Sequence, residues 1–156
     1  MAPQPSRLRN MQKNKLICEA IFVSRGYRPC TDRVELGAAA HEIPLTYLPG
    51  RLPIDLSAVA ILRASECVPS NLSIRVFHRE IPRPLFESDA FVDHPVLVNG
   101  KYFLASSLAN VQVKRPGEYR VELRESELFL AATSVTVLGS NIGRVGNRAP
   151  GVLWEA

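Results

Sequence analysis

Along most of this chain, apolar and polar side chains alternate with a period of two, and proline and glycine break the alternation at short intervals. The clearest stretch is Lys114–Leu123, K-R-P-G-E-Y-R-V-E-L, where a Pro-Gly turn feeds a run that sends Tyr119, Val121 and Leu123 to one face. A half-buried antiparallel strand entered from a tight turn has this signature. Leu72–His78 alternates as cleanly, with Leu72, Ile74 and Val76 inward and Ser73, Arg75 and Phe77 outward. Asp55–Ala64 is predicted to be a buried strand with Leu56, Ala58, Ala60 and Leu62 on one face and Val59 and Ile61 on the other. Lys15–Val23 carries apolar residues on both parities, as expected of a strand with one face in the core and the other partly covered.

The remaining segments follow the same grammar. Val34–Ile43 contains Ala38-Ala39-Ala40, which favours helix, but Gly37, Pro44 and the β-branched residues around it favour an extended chain. Pro44–Pro53 holds three prolines and should run along a sheet edge. Ile81–Pro95 reads as a long loop between sheets. Val96–Val98 and Tyr102–Leu104 should pair across Asn99-Gly100, a sequence that tolerates the positive φ angles of a type I′ turn. Leu108–Val113, Glu118–Leu123, Leu128–Ala132 and Ser134–Leu138 complete the set, with Arg124–Glu127 as a polar hairpin tip. No amphipathic helical pattern is long enough for a parallel crossover. The prediction is an all-β, two-sheet antiparallel sandwich of seven to nine strands over residues 15–138; a closed barrel would leave the same pattern. Residues 1–14 read as a flexible basic leader and 139–156 as a flexible C-terminal tail.

Composition narrows the class. A chain of 156 residues is the size of one domain with tails and can bury enough surface without disulfides or metal. Three cysteines, Cys18, Cys30 and Cys67, are an odd number, and the chain opens without a charged segment followed by an apolar run. No apolar stretch approaches the roughly 18 residues of a membrane span. These features point to a reduced, cytoplasmic protein with no membrane contact. The net charge of +4 resides at the two ends: residues 16–137 hold 13 basic and 14 acidic side chains, while residues 1–15 add Arg7, Arg9, Lys13 and Lys15 and residues 138–156 add Arg144 and Arg148 less Glu155. A nucleic-acid surface needs cations clustered on a folded face, so the charge distribution argues against one, leaving weak contact through the leader as the remaining route.

Pro116-Gly117-Glu118-Tyr119-Arg120-Val121 resembles the approach to the sixth strand of immunoglobulin-like sandwiches, where a Gly stands two residues before a Tyr whose hydroxyl locks the corner between sheets. The core cysteines and tryptophan of antibody domains are missing. Residues 16–138 as a whole are similar to small uncharacterised bacterial proteins of immunoglobulin-like type, through the proline-studded approach Ile43-Pro44-Leu45 and Leu52-Pro53 and the ending G-E-Y-x-V-E-L, L-F-L-A-A, V-T-V-L. The resemblance implies a sandwich and transfers no catalytic residue.

The residues that could carry chemistry are scattered. His41, His78 and His94 lie on separate elements without metal-pair spacing, and Asp89, Asp93 and His94 lack the dense Asp pattern of calcium loops. Cys18 falls in an apolar strand, neither Cys30 nor Cys67 has a histidine beside it, and Ser106-Ser107 lacks a nucleophile-elbow context. No catalytic residue, cofactor or metal is expected. The stronger lead is apolar residues at strand exteriors, in the proline-rich loop or on the tail: Phe77, Phe86, Phe91, Leu153 and Trp154 are the expected partner-binding residues. The expected function is a non-enzymatic protein-interaction module, an accessory or assembly subunit binding a protein partner or itself. The alternative is a small-ligand or hydrolytic domain with an end pocket built on His78 and His94.

Overall fold

The computed structural model describes residues 16–63, 71–88 and 95–139. The expected leader and nearly all of the expected tail, with Cys67, Asp89, Phe91, Asp93, His94, Leu153 and Trp154, lie outside the described residues. The described chain is all-β. Its thirteen strands are β1 (Cys18–Arg25), β2 (Arg28–Pro29), β3 (Val34–Glu35), β4 (Glu42–Leu45), β5 (Gly50–Arg51), β6 (Leu56–Arg63), β7 (Leu72–His78), β8 (Phe86–Ser88), β9 (Val96–Val98), β10 (Lys101–Ser107), β11 (Gln112–Val113), β12 (Gly117–Glu125) and β13 (Leu128–Gly139). Among the described residues no helix is long and apolar enough to cross a membrane.

The strands form four sheets, more than the two expected. A four-stranded sheet runs β1-β6-β10-β9 and a five-stranded sheet runs β4-β13-β12-β7-β8; β2-β3 and β5-β11 are two-stranded ribbons. The two larger sheets share one apolar core. Val23, Leu56, Ala58, Ala60, Leu62 and Leu104 enter it from the four-stranded sheet, and Ile43, Ile74, Val76, Tyr119, Val121, Leu123, Val135 and Val137 from the five-stranded one. The period-two reading holds along β7, whose residues alternate between buried and half-buried without exception from Leu72 to His78. It holds along β6, where Leu56, Ala58, Ala60 and Leu62 are core residues. The Asn99-Gly100 hairpin forms as predicted: both residues have positive φ, and Val98 pairs with Lys101.

Other segments differ from the pattern, each for a local reason. The expected strand Val34–Ile43 is divided. Ala38 and Ala40 hydrogen-bond along the free edge of β1, Arg25 N–H donating to Ala38 O at 3.0 Å and Ala40 N–H to Val23 O at 2.8 Å. The chain then crosses to the other sheet, where β4 pairs with β13 in parallel. This segment therefore spans the margin between the two sheets, and no alternation tuned to a single sheet can describe it. Gly37 permits the crossing, because a methyl group there would lie 2.2 Å from Arg25 O. Pro44 is tolerated because β4 is an edge strand, where a missing N–H leaves no ladder gap.

The expected loop Ile81–Pro95 contains β8, which pairs with β7 through Ile74, Arg75 and Val76. The two closing strands are one continuous β13; the register shifts beside Leu123 and Arg124, which face Ala131 and Phe129, leaving Leu130 as the extra residue of a bulge. Leu108–Val113 pairs only over Gln112–Val113.

The corner anticipated at Gly117 and Tyr119 is present. Tyr119 is buried and its hydroxyl donates to Arg115 O at 2.6 Å, tying β12 back to the chain that enters it. Tyr119→Phe keeps the ring and removes this bond, so a loss of about 1 kcal/mol is expected, measured as a lower denaturant midpoint at unchanged slope.

Candidate functional site

His78 ends β7, directly opposite Tyr119 on β12, and the two rings meet edge to face with centroids 4.9 Å apart. Glu80 N–H donates to His78 Nδ1 at 3.1 Å, so Nδ1 is the acceptor and the ring proton belongs on Nε2, which lies 3.2 Å from Pro116 O. Both nitrogens of the neutral ring are thus engaged by the backbone, and neither is free to act as a base or a metal ligand. The imidazole is a strut of the corner. His41 is exposed just before β4, and no group of three or more His, Cys, Asp or Glu side chains is placed to hold a metal ion among the described residues. Cys18 packs against the core, its thiol donates to Ala20 O at 3.2 Å, and burial pushes its pKa up, away from a reactive thiolate.

A cleft of about 630 Å³ opens beside this corner. His78 and Tyr119 line it together with Ile81 and Leu85 from the β7–β8 connection and with Gln112, Lys114 and Arg115. Among the described residues no acidic side chain lines it, and its two aromatic polar groups are already committed to backbone partners. Among the described residues lining it, no nucleophile and base are in contact.

The outer faces of the two larger sheets contrast sharply. On the five-stranded sheet, Glu122 is 8% exposed yet sits on the outer side, clamped by Arg120 Nε at 2.8 Å and Arg124 Nη2 at 3.1 Å. Arg75 pairs with Glu87 across β7 and β8 at 2.5 Å, and the Arg120 guanidinium lies 5.4 Å from the centroid of the Phe129 ring. Phe77 sits in this ionic face, half-buried opposite Arg120. These charges keep the sheet face polar, and the pairs that reach solvent contribute about 0–1 kcal/mol each.

The outer face of the four-stranded sheet is apolar. Val59 and Ala105 are 0% and 2% exposed, yet neither belongs to the core cluster, because both point away from it. Phe22 and Ala105 flank Val59 in register, and Ala20 and Phe103 flank Ile61. Val96, opposite Phe103 on β9, extends the patch. Phe22, Ile61, Phe103, Val96 and Val98 are each partly exposed, while Val59 and Ala105 between them are shielded from solvent. Its charges gather at one end, where Glu19 accepts from Arg63 Nε at 3.0 Å and Lys101 Nζ at 2.6 Å; these two cations hold the Glu19 carboxyl below the usual carboxylate range.

Of the residues singled out from sequence, the structure therefore places Phe77 among arginines and Phe86 partly buried against the core at the start of β8. Phe91, Leu153 and Trp154 lie outside the described residues. The surface that sequence reasoning did not single out is the Phe22–Val59–Phe103 face. Its signal was the apolar second parity of the first strand and of Asp55–Ala64, which gave the side each residue takes but not whether another layer lies over it.

No family model matches the chain, and no curated protein matches it. Among solved structures, it is similar to an immunoglobulin-like protein from Pseudomonas aeruginosa, determined by crystallography at 1.50 Å resolution, with 12% identity over 80% of this chain and 98% of that chain and a TM-score of 0.41.

Proposed function

We propose that this chain is a non-enzymatic protein-interaction module, an accessory or assembly subunit of a cytoplasmic bacterial multi-protein system, built as an immunoglobulin-like two-sheet sandwich with two added ribbons. The observation that carries the reading is the set of partly exposed apolar side chains Phe22, Ile61 and Phe103 on the outer side of the four-stranded sheet. Apolar side chains left partly in water disfavour the free state, because each exposed Å² of them costs about 25 cal/mol relative to burial. A protein surface that removes them from water recovers that free energy. The groups that would support an enzymatic reading point the same way: His78 is consumed by backbone bonds and Cys18 is a packed thiol.

Affinity capture from the native cells, with the wild-type chain and an Ile61→Lys variant in parallel, tests this reading. A partner held by the wild type, which includes a second copy of the chain, should be lost from Ile61→Lys while the far-ultraviolet circular dichroism of the variant stays unchanged. Equal capture by both would remove the face from the argument.

A further inference from the structure

We infer that the cleft beside the Tyr119 corner binds a small amphiphilic carboxylate, a hydrocarbon body carrying one anionic head. The inference goes beyond the interaction-module reading and does not rest on it, since Phe22, Ile61 and Phe103 do not line this cleft.

The lining divides by chemistry. Ile81 and Leu85, from the β7–β8 connection, are large apolar side chains left 39% and 37% exposed. Gln112, Lys114 and Arg115, from the chain between β11 and β12, are exposed polar ones. Arg115 reaches only Glu80, at 3.9 Å and so beyond hydrogen-bond range, and no described carboxylate pairs with Lys114.

The hydrogen-bond inventory fixes the sign of the ligand. His78 and Tyr119 spend their polar atoms on Glu80 N–H, Pro116 O and Arg115 O. What remains in the cleft is the Lys114 ammonium and the Arg115 guanidinium, which only donate, and the Gln112 amide. A ligand that satisfies these groups has to bring acceptors, and with no acid among the described lining residues to repel it, a negative charge is favoured there. The planar fork of a guanidinium matches the two oxygens of a carboxylate. A hydrocarbon group laid against Ile81 and Leu85 takes their exposed surface out of water.

Both walls are built before the ligand arrives. Ile81 N–H donates to His78 O at 3.0 Å and Leu85 N–H to Val76 O at 2.8 Å, and Pro82 and Pro84 stiffen the chain between them. On the other wall, Gln112 and Val113 pair with β5, while the Tyr119 hydroxyl and His78 Nε2 hold the carbonyls of Arg115 and Pro116. The His78 ring joins the two walls, accepting from Glu80 N–H at one nitrogen and donating to Pro116 O from the other. The corner therefore sets the width of the cleft, and binding has little left to order. Its volume of about 630 Å³ falls within the range of roughly 300–1,000 Å³ of small-molecule sites. With no nucleophile and base in contact along the described lining, the ligand is held and released unchanged.

Titration of the full chain with octanoate, octan-1-ol and octylammonium, followed through the methyl NMR signals of Ile81 and Leu85, is the test. Octanoate is expected to shift those methyls saturably with a Kd on the order of 1 mM. Octan-1-ol should bind at least about tenfold more weakly, and octylammonium should leave them unmoved. Reversing both cations, Lys114→Glu with Arg115→Glu, should exchange the preference, so that octylammonium binds and octanoate does not. Leu85→Asp should weaken octanoate at least about tenfold. All three side chains are exposed, so these variants are expected to fold; should one fail to, the three ligands on the wild type decide. Octanoate that leaves the Ile81 and Leu85 methyls unmoved at about 10 mM overturns the inference. Equal shifts from octan-1-ol or octylammonium overturn it as well, as does a folded double variant that keeps its octanoate affinity. Ile61→Lys, away from the cleft, should bind octanoate as the wild type does, so this inference and the interaction-module reading fail separately.

Discussion

Replacing Gly117 with alanine is expected to destabilise the protein by about 3 kcal/mol, the sum of a backbone penalty and a clash. Gly117 has φ +130°, a conformation that L side chains rarely adopt, and non-glycine residues held in such regions cost of order 1–3 kcal/mol. A methyl group at this position would lie 2.9 Å from His78 Nε2. The imidazole cannot simply swing away, because Pro116 O and Glu80 N–H hold its two nitrogens and Tyr119 packs against its edge. Moving the ring breaks those bonds and opens the corner that Tyr119 closes. For a body of this size the loss corresponds to a fall in melting temperature of about 10 °C. His78→Ala in the Gly117→Ala background removes the clashing ring, so the double variant should be more stable than the two single losses added together by about 0.5–3 kcal/mol. Additive losses measured by denaturant unfolding would show that the glycine is required for its backbone angle alone.

Leu123→Ala should cost about 2–5 kcal/mol, a range set by how far the surroundings collapse into the space left behind. Leu123 is 0% exposed on β12, the middle strand of the five-stranded sheet, with Ile74 and Ala131 as its register partners. It has rigid ladder on both sides and the core beneath, so little of the cavity can close. Against a typical total stability of about 5–15 kcal/mol, such a loss takes the protein close to its unfolding midpoint under mild conditions. Leu128→Ala makes the same chemical change at the hairpin tip, where the side chain is 54% exposed. It should cost less than about 0.5 kcal/mol, as surface substitutions do. If urea titration gave the two variants equal midpoints, the inward assignment of the β12 alternation would be wrong.

Much of this architecture was legible in the sequence because burial on a sheet repeats every two residues. The alternations at Leu72–His78 and Glu118–Leu123 marked the inward side chains of β7 and β12, and Asn99-Gly100 marked its own hairpin, since few dipeptides accept positive φ at both positions. Gly117 two residues before Tyr119 pointed to the corner that the Tyr119 hydroxyl closes on Arg115. Where the pattern misled, the cause was non-local. Gly37–Leu45 changes sheet partway, so its side chains answer to two surfaces in turn. Phe86 belongs to an edge strand whose pairing with Val76 cannot be seen in a stretch punctuated by Pro82 and Pro84. His78 looked like a possible catalytic group, and only its position beside Pro116 and Glu80 showed both nitrogens already occupied.

The sequence by itself determined that the chain folds as short strands with period-two burial, and which residues of each strand share a side, because those properties depend on neighbours along the chain. The tertiary structure decided which side of each strand joins the core shared by the two larger sheets. Val59 is as fully buried as the core residues Ala58 and Ala60 yet lies on the opposite side of β6, and which side joins that core depends on strands far away in sequence. The rows that flank β6, Phe22 and Ala105 beside Val59 and Ala20 and Phe103 beside Ile61, exist only once β1 and β10 are brought alongside it in register.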